Sequence, residues 1–183
     1  MSRTLQHAVV LGVAAIVTYL FTFVVTRVAP KLGAVVEPDD RRVHQRPTIT
    51  GGGAAMFVGF LAALVLASRL PGFTQVFAGS SEALAVVVAA TVMFAIGAVD
   101  DLRELSAPAK VAGQVLSGSL LAVLGVTLFY FRVPFGQLVV LSADWATLIT
   151  VLLVVVVANS VNLIDGLDAV SYTHLTLPTI LLV

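Results

Sequence analysis

Three short polar segments interrupt an otherwise apolar sequence, and they carry most of the side chains that could do chemistry. They are Pro38–Gly53, Gly97–Gln114 and Asn159–Asp168. A charge at membrane depth is costly and is kept mainly where it serves a function. We therefore expect folding to bring the three segments together on one membrane face, as an active site for an anionic, metal-bound substrate.

The second segment contains two adjacent carboxylates, Asp100 and Asp101, with Lys110 ten residues after the first. Adjacent carboxylates at a helix end repel each other unless a cation lies nearby. Mg²⁺ binds carboxylate and phosphate oxygens in such sites, and Lys110 could hold a phosphate as a point charge. The alternative is a solvated loop that follows a membrane helix.

The third segment predicts a polar stripe on one face of a helix. Asn159, Asn162 and Asp165 are three residues apart and share a helical face, and Asp168 extends the stripe if Gly166 does not break the helix. Two amides and two carboxylates suit Mg²⁺, a ribose or a base. The alternative is a helix cap, which would need one such residue rather than four.

The first segment is basic and ends in glycines. Arg41, Arg42, His44 and Arg46 precede the triplet Gly51–Gly53, which is predicted to open a helix. Glycine-rich backbone at a helix N-terminus can bind phosphate. The alternative is a basic anchor at the membrane surface followed by a flexible hinge.

The composition places these segments in a membrane protein. Of 183 residues, 59% are apolar and 11% are charged, whereas soluble domains average about 45–50% and about 25%. The net charge is zero, so no basic field indicates nucleic-acid binding. Without cysteine, thiolate metal sites and a cysteine nucleophile are excluded.

Five apolar runs are long enough to cross a bilayer as helices. Their richness in Ala, Val and Leu favours an all-α transmembrane bundle over a β-barrel. Within the fourth run, Gly113 and Ser117 are spaced for close helix packing. The predicted spans are residues 8–28, 53–70, 83–99, 111–131 and 145–161.

The distribution of Lys and Arg predicts the orientation. Alternate connections fall on opposite faces, and seven Lys and Arg residues lie on one face against three on the other. The face with seven is expected to be cytoplasmic. All three polar segments then lie in the cytoplasm, with the N-terminus outside.

Three strings in this order resemble the polyprenyl-phosphate N-acetylhexosamine-1-phosphate transferases, the bacterial family of WecA, TagO and MraY. The strings are PDDRRVHQRPTITGGGAAM, GAVDDLRELSAPAKVAGQ and NSVNLIDGLD, and the resemblance covers about residues 8–169. The arginine–histidine string is closer to the WecA/TagO branch than to MraY. The resemblance implies a protein of the bacterial plasma membrane that transfers a sugar 1-phosphate from a UDP-N-acetylhexosamine to undecaprenyl phosphate. UMP is released, the reaction starts a cell-envelope glycan, and Mg²⁺ or Mn²⁺ is required.

The resemblance and the charge of the substrates together suggest roles for the polar residues. Because the reaction brings one anion onto another, cations should supply most of the stabilisation, and a covalent Asp nucleophile is not expected. Asp100 and Asp101 are assigned to metal and acceptor-phosphate positioning, one of them as a base, and Lys110 to neutralising phosphate oxygens. Asn162 is implied as a metal ligand, together with Asp101 and Asp165. The implied substrate-binding residues are Asn159, Asp165, Asp168, Arg41, Arg42 and His44.

The chain also departs from the family pattern. Family members have about ten spans, and a later Gly-Asp metal motif and a histidine-rich loop have no counterpart here. Residues 1–170 are therefore expected to be the N-terminal half of a transferase domain, inactive alone, and residues 171–183 a foreign tail. A homodimer remains open as a further partner.

Two other functions compete with the transferase interpretation. A small transporter or ion-pathway subunit would use the same aspartates, but transport sites lie near the bilayer midplane, whereas these lie at helix ends. An aromatic prenyltransferase would need two Asp-rich motifs, and the spacing of Asp165 and Asp168 is too short for one.

Overall fold

The computed structural model describes residues 1–33, 35–36, 48–49, 51–78, 81–103, 105–133 and 136–180. For residues 35–36, 48–49 and 164–180 it describes the backbone alone.

Within these ranges the fold is almost entirely helical, and the all-α prediction is confirmed. Two small antiparallel strand pairs join β1 (Val35–Val36) to β2 (Thr48–Ile49) and β3 (Tyr130–Arg132) to β4 (Leu138–Val140). The helices are α1 (Arg3–Val28), α2 (Gly52–Ala67), α3 (Thr74–Phe77), α4 (Glu82–Arg103), α5 (Ala107–Val123) and α6 (Ala143–Ile180).

Each long helix packs against the next one in the chain. The contacts join α1 to α2, α2 to α4, α4 to α5 and α5 to α6. Since consecutive helices run in opposite directions, the end of α4 and the start of α5 meet at one end of the bundle. We call this the charged end, defined by Gly51, Asp100, Asp101, Lys110 and Asn159, and the other the opposite end, defined by Gln6, Gly72, Ser81, Leu128 and Thr150.

Small side chains fill the interfaces between the helices. Every buried apolar residue in the described ranges is an alanine, whereas many Leu, Val and Phe side chains are exposed. In water such a surface would drive aggregation, but lipid solvates it, and small residues let membrane helices approach closely. The burial pattern therefore fits a multi-pass membrane protein.

The predicted close packing of Gly113 and Ser117 is confirmed. The Ser117 Oγ donates a hydrogen bond of 2.8 Å to the backbone oxygen of Ala89 on α4. A Cβ at Gly113 would overlap the side chain of Ile96, also on α4. These two residues therefore set the distance between α4 and α5.

Three of the described helices are long and apolar enough to cross a membrane: Arg3–Leu32, Glu82–Arg103 and Ala143–Leu163. A fourth is present if α2 and Pro71–Phe77 form one span, bent by 95°. The 17 residues of α5 extend about 26 Å, a little less than the roughly 30 Å hydrocarbon core. The described residues contain five long helices, and α2 and α5 are the shortest of them.

The predicted span 111–131 is wrong at its C-terminal end. Helix α5 ends at Val123, because Gly125 adopts a left-handed conformation with a φ of 101°. Its N–H donates to Ala122, and the N–H of Val126 donates to Leu121, which satisfies carbonyls at the end of the helix. The apolar residues that follow lead into the exposed hairpin of β3 and β4 rather than extending a helix.

Two boundaries matter for the site. Helix α4 continues to Arg103, beyond the predicted 83–99, so that Asp100 and Asp101 lie on its last turn rather than in a connection. Helix α6 continues without a break through Gly166. The backbone therefore has the helical spacing that was predicted for Asn159, Asn162 and Asp165.

Candidate active site

Asp100 fixes the turn between α4 and α5. Its Oδ2 lies 2.8 Å from the Nζ of Lys110, and its Oδ1 accepts a 2.8 Å hydrogen bond from the backbone N–H of Leu105. Pro108 in the first turn of α5 suits a helix start, where a backbone N–H has no helical partner. Both Asp100 oxygens thus have protein partners, and Lys110 is positioned at the end of α4.

Asp101 lies beside this pair but has different partners. Asp101 is exposed, and the backbone of Gly51 lies beside its carboxylate at the end of one groove. Gly51 precedes α2 in a left-handed conformation, with a φ of 96°, which a residue with a Cβ adopts only with strain. The glycines at the end of the first segment therefore lie next to Asp101 of the second segment.

Asn159 connects the third segment to α5. Its Nδ2 donates to the Oε1 of Gln114 at 2.6 Å and to the backbone oxygen of Val155 at 2.8 Å. Gln114 lies one turn after Lys110 and therefore on the same face of α5. Within the second segment, Lys110 on α5 is thus bonded to Asp100 on α4, and Gln114 bonds this segment to the third.

The remaining predicted site residues are only partly described. Asn162 is exposed on α6, one turn beyond Asn159. Asp165 and Asp168 lie in the helical backbone of α6, and their side chains are outside the described part. Arg41, Arg42 and His44 also lie outside the described residues. Among the side chains that are described, no three His, Cys, Asp or Glu residues form a cluster suited to a metal.

An apolar groove of about 840 Å³ leads to the carboxylates. It lies between α1, α2 and α4, and it ends at Gly51, Asp100 and Asp101. The rings of Phe57 and Phe94 stack in its wall with their centroids 4.5 Å apart. Its other walls are formed by Phe21, Val24, Val25, Val28, Phe60 and Met93, among others. This shape suits an amphiphile with a long apolar chain and a polar head.

The sequence analysis did not single out two residues of this site, Gln114 and Gly51. Gln114 could have been found from its position four residues after Lys110, since that spacing places the two on one helix face. The approach of the first and second segments was predicted, but the pairing of Gly51 with Asp101 in particular had no signal in the sequence, because Asp101 lies on α4, which begins 30 residues after α2.

Comparison with known proteins gives a consistent family. The family model described as glycosyl transferase family 4 matches residues 83–183. The decaprenyl-phosphate N-acetylglucosaminephosphotransferase of Mycobacterium tuberculosis is 41% identical over 160 residues, covering 86% of this chain and 40% of that protein. The probable undecaprenyl-phosphate N-acetylglucosaminyl 1-phosphate transferase of Bacillus subtilis is 32% identical over 169 residues, covering 92% and 45%.

A further relative extends the comparison to a second kind of transferase. The phospho-N-acetylmuramoyl-pentapeptide-transferase of Desulforudis audaxviator is 36% identical over 183 residues, covering 87% of this chain and 54% of that protein. The chain thus spans about half or less of the length of these relatives. No solved structure matches the chain. The family match supports the transferase interpretation over the transporter, and we conclude that the chain belongs to glycosyl transferase family 4.

Proposed function

We propose that this chain forms part of a membrane transferase that moves N-acetylglucosamine 1-phosphate from a UDP-sugar to a polyprenyl phosphate such as undecaprenyl phosphate. An oxygen of the lipid phosphate forms a bond to the β-phosphorus of the UDP-sugar, the bond from that phosphorus to UMP breaks, and UMP leaves. The observation that carries the proposal is the double connection of α5, through Lys110 to Asp100 and through Gln114 to Asn159. It brings the second and third polar segments to one end of the bundle.

Lys110 would lower the barrier to bringing two anions together. A phosphate monoester carries roughly −1.5 to −2 charges at neutral pH, so the acceptor needs little activation by a base. Fixed positive charge at the transferring phosphate is therefore the main requirement. Asp100 holds Lys110 at 2.8 Å, which places this charge beside the end of the groove.

The donor set at the charged end fits Mg²⁺, which commonly binds one or two carboxylates together with substrate phosphates. Of the two aspartates, Asp101 has the greater free capacity, because both oxygens of Asp100 already have protein partners. We propose Asp101 on α4 and Asn162 on α6 as metal ligands, with Asp165 and Asp168 following Asn162 on the same helix. A bound Mg²⁺ would supply positive charge to phosphate oxygens.

The groove supports a lipid acceptor. Its aromatic and aliphatic walls would bury part of an isoprenoid chain, while its polar end would meet the phosphate near Lys110 and the proposed metal. The excess of Lys and Arg in the connections at this end favours a cytoplasmic location for the site, in a bacterial plasma membrane.

The direct test is an exchange assay with UDP-N-acetylglucosamine, labelled UMP and undecaprenyl phosphate. It uses the complete transferase, meaning this segment together with the remainder that its relatives contain. Metal-dependent labelling of the UDP-sugar is expected, and Asp101→Asn should reduce it at least about 100-fold, since the loss of a metal-linked carboxylate costs several kcal/mol of transition-state stabilisation. Near-normal exchange by this variant at saturating Mg²⁺ would remove Asp101 from the site.

The acceptor site is tested by filling the groove at Gly97. Gly97 lines the groove, whereas Gly12 on α1 does not. At both positions an added Cβ would have no atom within 4 Å. Gly97→Phe should raise the apparent KM for undecaprenyl phosphate about tenfold, whereas Gly12→Phe should leave it unchanged. Equal effects of the two substitutions would show that the acceptor chain lies elsewhere.

A further inference from the structure

The hydrogen bonds of Asn159 determine which way the side-chain amide of Gln114 is turned. The backbone oxygen of Val155 can only accept hydrogen bonds, so the Asn159 atom that lies 2.8 Å from it must be the nitrogen. The same nitrogen lies 2.6 Å from Gln114. The Gln114 atom that faces Asn159 must therefore be the acceptor Oε1.

The orientation of Oε1 determines where the rest of the amide points. A glutamine amide has one oxygen and one NH₂ group on the same carbon, so the NH₂ of Gln114 is directed away from Asn159. Within the part of the chain that the structure describes, no acceptor is bonded to this Nε2. Val155 thus orients Asn159, and Asn159 orients Gln114 to present two N–H donors.

Gln114 lies on the face of α5 that carries Lys110, one turn away. Lys110 shares its charge with Asp100, so an incoming phosphate would compete with a carboxylate for it. A neutral amide donor has no such competitor and adds a directed hydrogen bond to the point charge of lysine. Gln114 is half-buried, which keeps its side chain from the free rotation of a surface glutamine.

We propose that Gln114 is a substrate-binding residue, whose NH₂ group, oriented by Asn159, donates hydrogen bonds to an oxygen of the phosphate that Lys110 neutralises. This inference rests on the proposed function, because it assumes that a phosphate binds at the charged end. The phosphate could come from the nucleotide or from the lipid acceptor, and the two are separated in the test.

Two substitutions distinguish this role from a purely structural one. Gln114→Glu keeps an acceptor for Asn159 but removes the donors, whereas Gln114→Lys removes the acceptor and supplies donors. If Gln114 only joins α5 to α6, Gln114→Glu should be the better tolerated variant. If it donates to phosphate, Gln114→Lys should be the better binder even where it lowers thermal stability.

The experiment measures binding and turnover in the complete transferase with Mg²⁺ present. Equilibrium dialysis with labelled UMP forms one arm and dialysis with labelled decyl phosphate in detergent the other. Gln114→Glu is expected to weaken binding at least tenfold in one arm, which identifies the phosphate, with Gln114→Lys within about threefold of wild type. Gln114→Met, which adds no charge, should also weaken binding in that arm, excluding capture of Lys110 by the introduced carboxylate as the cause.

The reverse order, with Gln114→Glu close to wild type and Gln114→Lys impaired, would overturn the assignment and leave Gln114 a structural link. Equal binding by all the variants would overturn it as well. If the wild-type protein binds UMP or decyl phosphate but catalyses no exchange, the proposed reaction fails while the binding comparison still decides the role of Gln114. If it binds neither probe, both proposals fail.

Discussion

The two ends of the helix bundle use polar side chains in different ways. At the opposite end, polar side chains bond to the backbone: Gln6 accepts from the N–H of Gly72 at 2.7 Å, and Thr150 accepts from the N–H of Leu128 at 2.8 Å. Both residues are only 5% exposed. At the charged end, Asp100 and Asn159 also bond to backbone groups, but side chains are bonded to each other as well: Lys110 to Asp100 and Asn159 to Gln114. The Lys110 and Asp100 side chains are 39% and 28% exposed.

The polar bonds at the two ends also differ in how much they contribute to the stability of the fold. A buried backbone group that loses its partner costs about 1–3 kcal/mol, so the bonds at the opposite end stabilise the fold. An ion pair as exposed as Asp100 and Lys110 contributes about 0–1 kcal/mol. Stability therefore explains the polar residues of the opposite end but not the number and kind of those at the charged end, where binding and chemistry are the better explanation.

The largest expected effect is on activity, at the charged end. Lys110→Gln removes the positive charge but leaves a side chain that can still donate to Asp100. Transfer by the complete enzyme should fall about 10²–10³-fold, the usual effect of removing one group that stabilises the transition state. The apparent melting temperature in detergent should stay nearly unchanged, because little stability resides in the exposed pair.

The control for Lys110→Gln is a variant that loses a positive charge at a neighbouring position. Arg103→Gln removes a positive charge from the last turn of α4, three residues after Asp100. Among the described residues, Asp100 forms its ion pair with Lys110 and not with Arg103. Its effect on transfer should be no more than a few-fold. If both substitutions slow transfer equally, the general positive field and not the position of Lys110 is what matters, and the contrast between the two ends loses its chemical basis.

The next effect is on stability, at the opposite end. Gln6→Leu leaves the N–H of Gly72 without its partner and removes the donor to the backbone oxygen of Met1. The free energy of unfolding should fall by about 1–3 kcal/mol, measured by thermal or denaturant unfolding in detergent. Transfer assayed well below the melting temperature should be close to wild type.

A loss of activity in Gln6→Leu without a loss of stability would break the comparison, because it would show that the opposite end contributes to the reaction. Gln6→Glu is a useful companion, since a carboxylate keeps the acceptor for Gly72 while losing the donor to Met1. It should recover part of the lost stability if the bond to Gly72 is the more important one.

The contrast between the ends also explains what could be predicted from the sequence. Apolar runs and polar interruptions gave the helices, because the bilayer requires about 20 apolar residues per span. The three motifs gave Asp100, Asp101, Lys110 and Asn159 as candidates, since charged and amide groups next to membrane helices are unusual.

What the sequence did not show depends on three-dimensional contacts or on single residues. The end of α5 was missed because the apolar run continues past Gly125, and only its left-handed conformation stops the helix. The roles of Gln6 and Thr150 were missed because a lone polar residue in an apolar helix has no pattern, and its partner lies 66 residues away in one case and 22 in the other. Which oxygens of Asp100 are occupied follows only from the folded turn between α4 and α5.

The smallest expected effect compares two threonines on α6. Thr150 and Thr147 each donate from Oγ1 to the carbonyl four residues earlier. Thr150 is buried and also accepts from the N–H of Leu128, whereas Thr147 is exposed and, among the described residues, makes the first bond alone. Valine has nearly the shape of threonine and neither bond. Thr150→Val should therefore destabilise the protein by about 1–2 kcal/mol, because it leaves a partly buried N–H unpaired. Thr147→Val should change stability by no more than about 0.5 kcal/mol, as expected for a substitution on the surface. Unfolding of the two variants in the same detergent gives the difference directly, and neither should alter transfer. If the two variants are equally stable, bonds from side chain to backbone do not hold the opposite end together, and the division of the molecule into a stabilising end and a reactive end would have to rest on the packing of small residues alone.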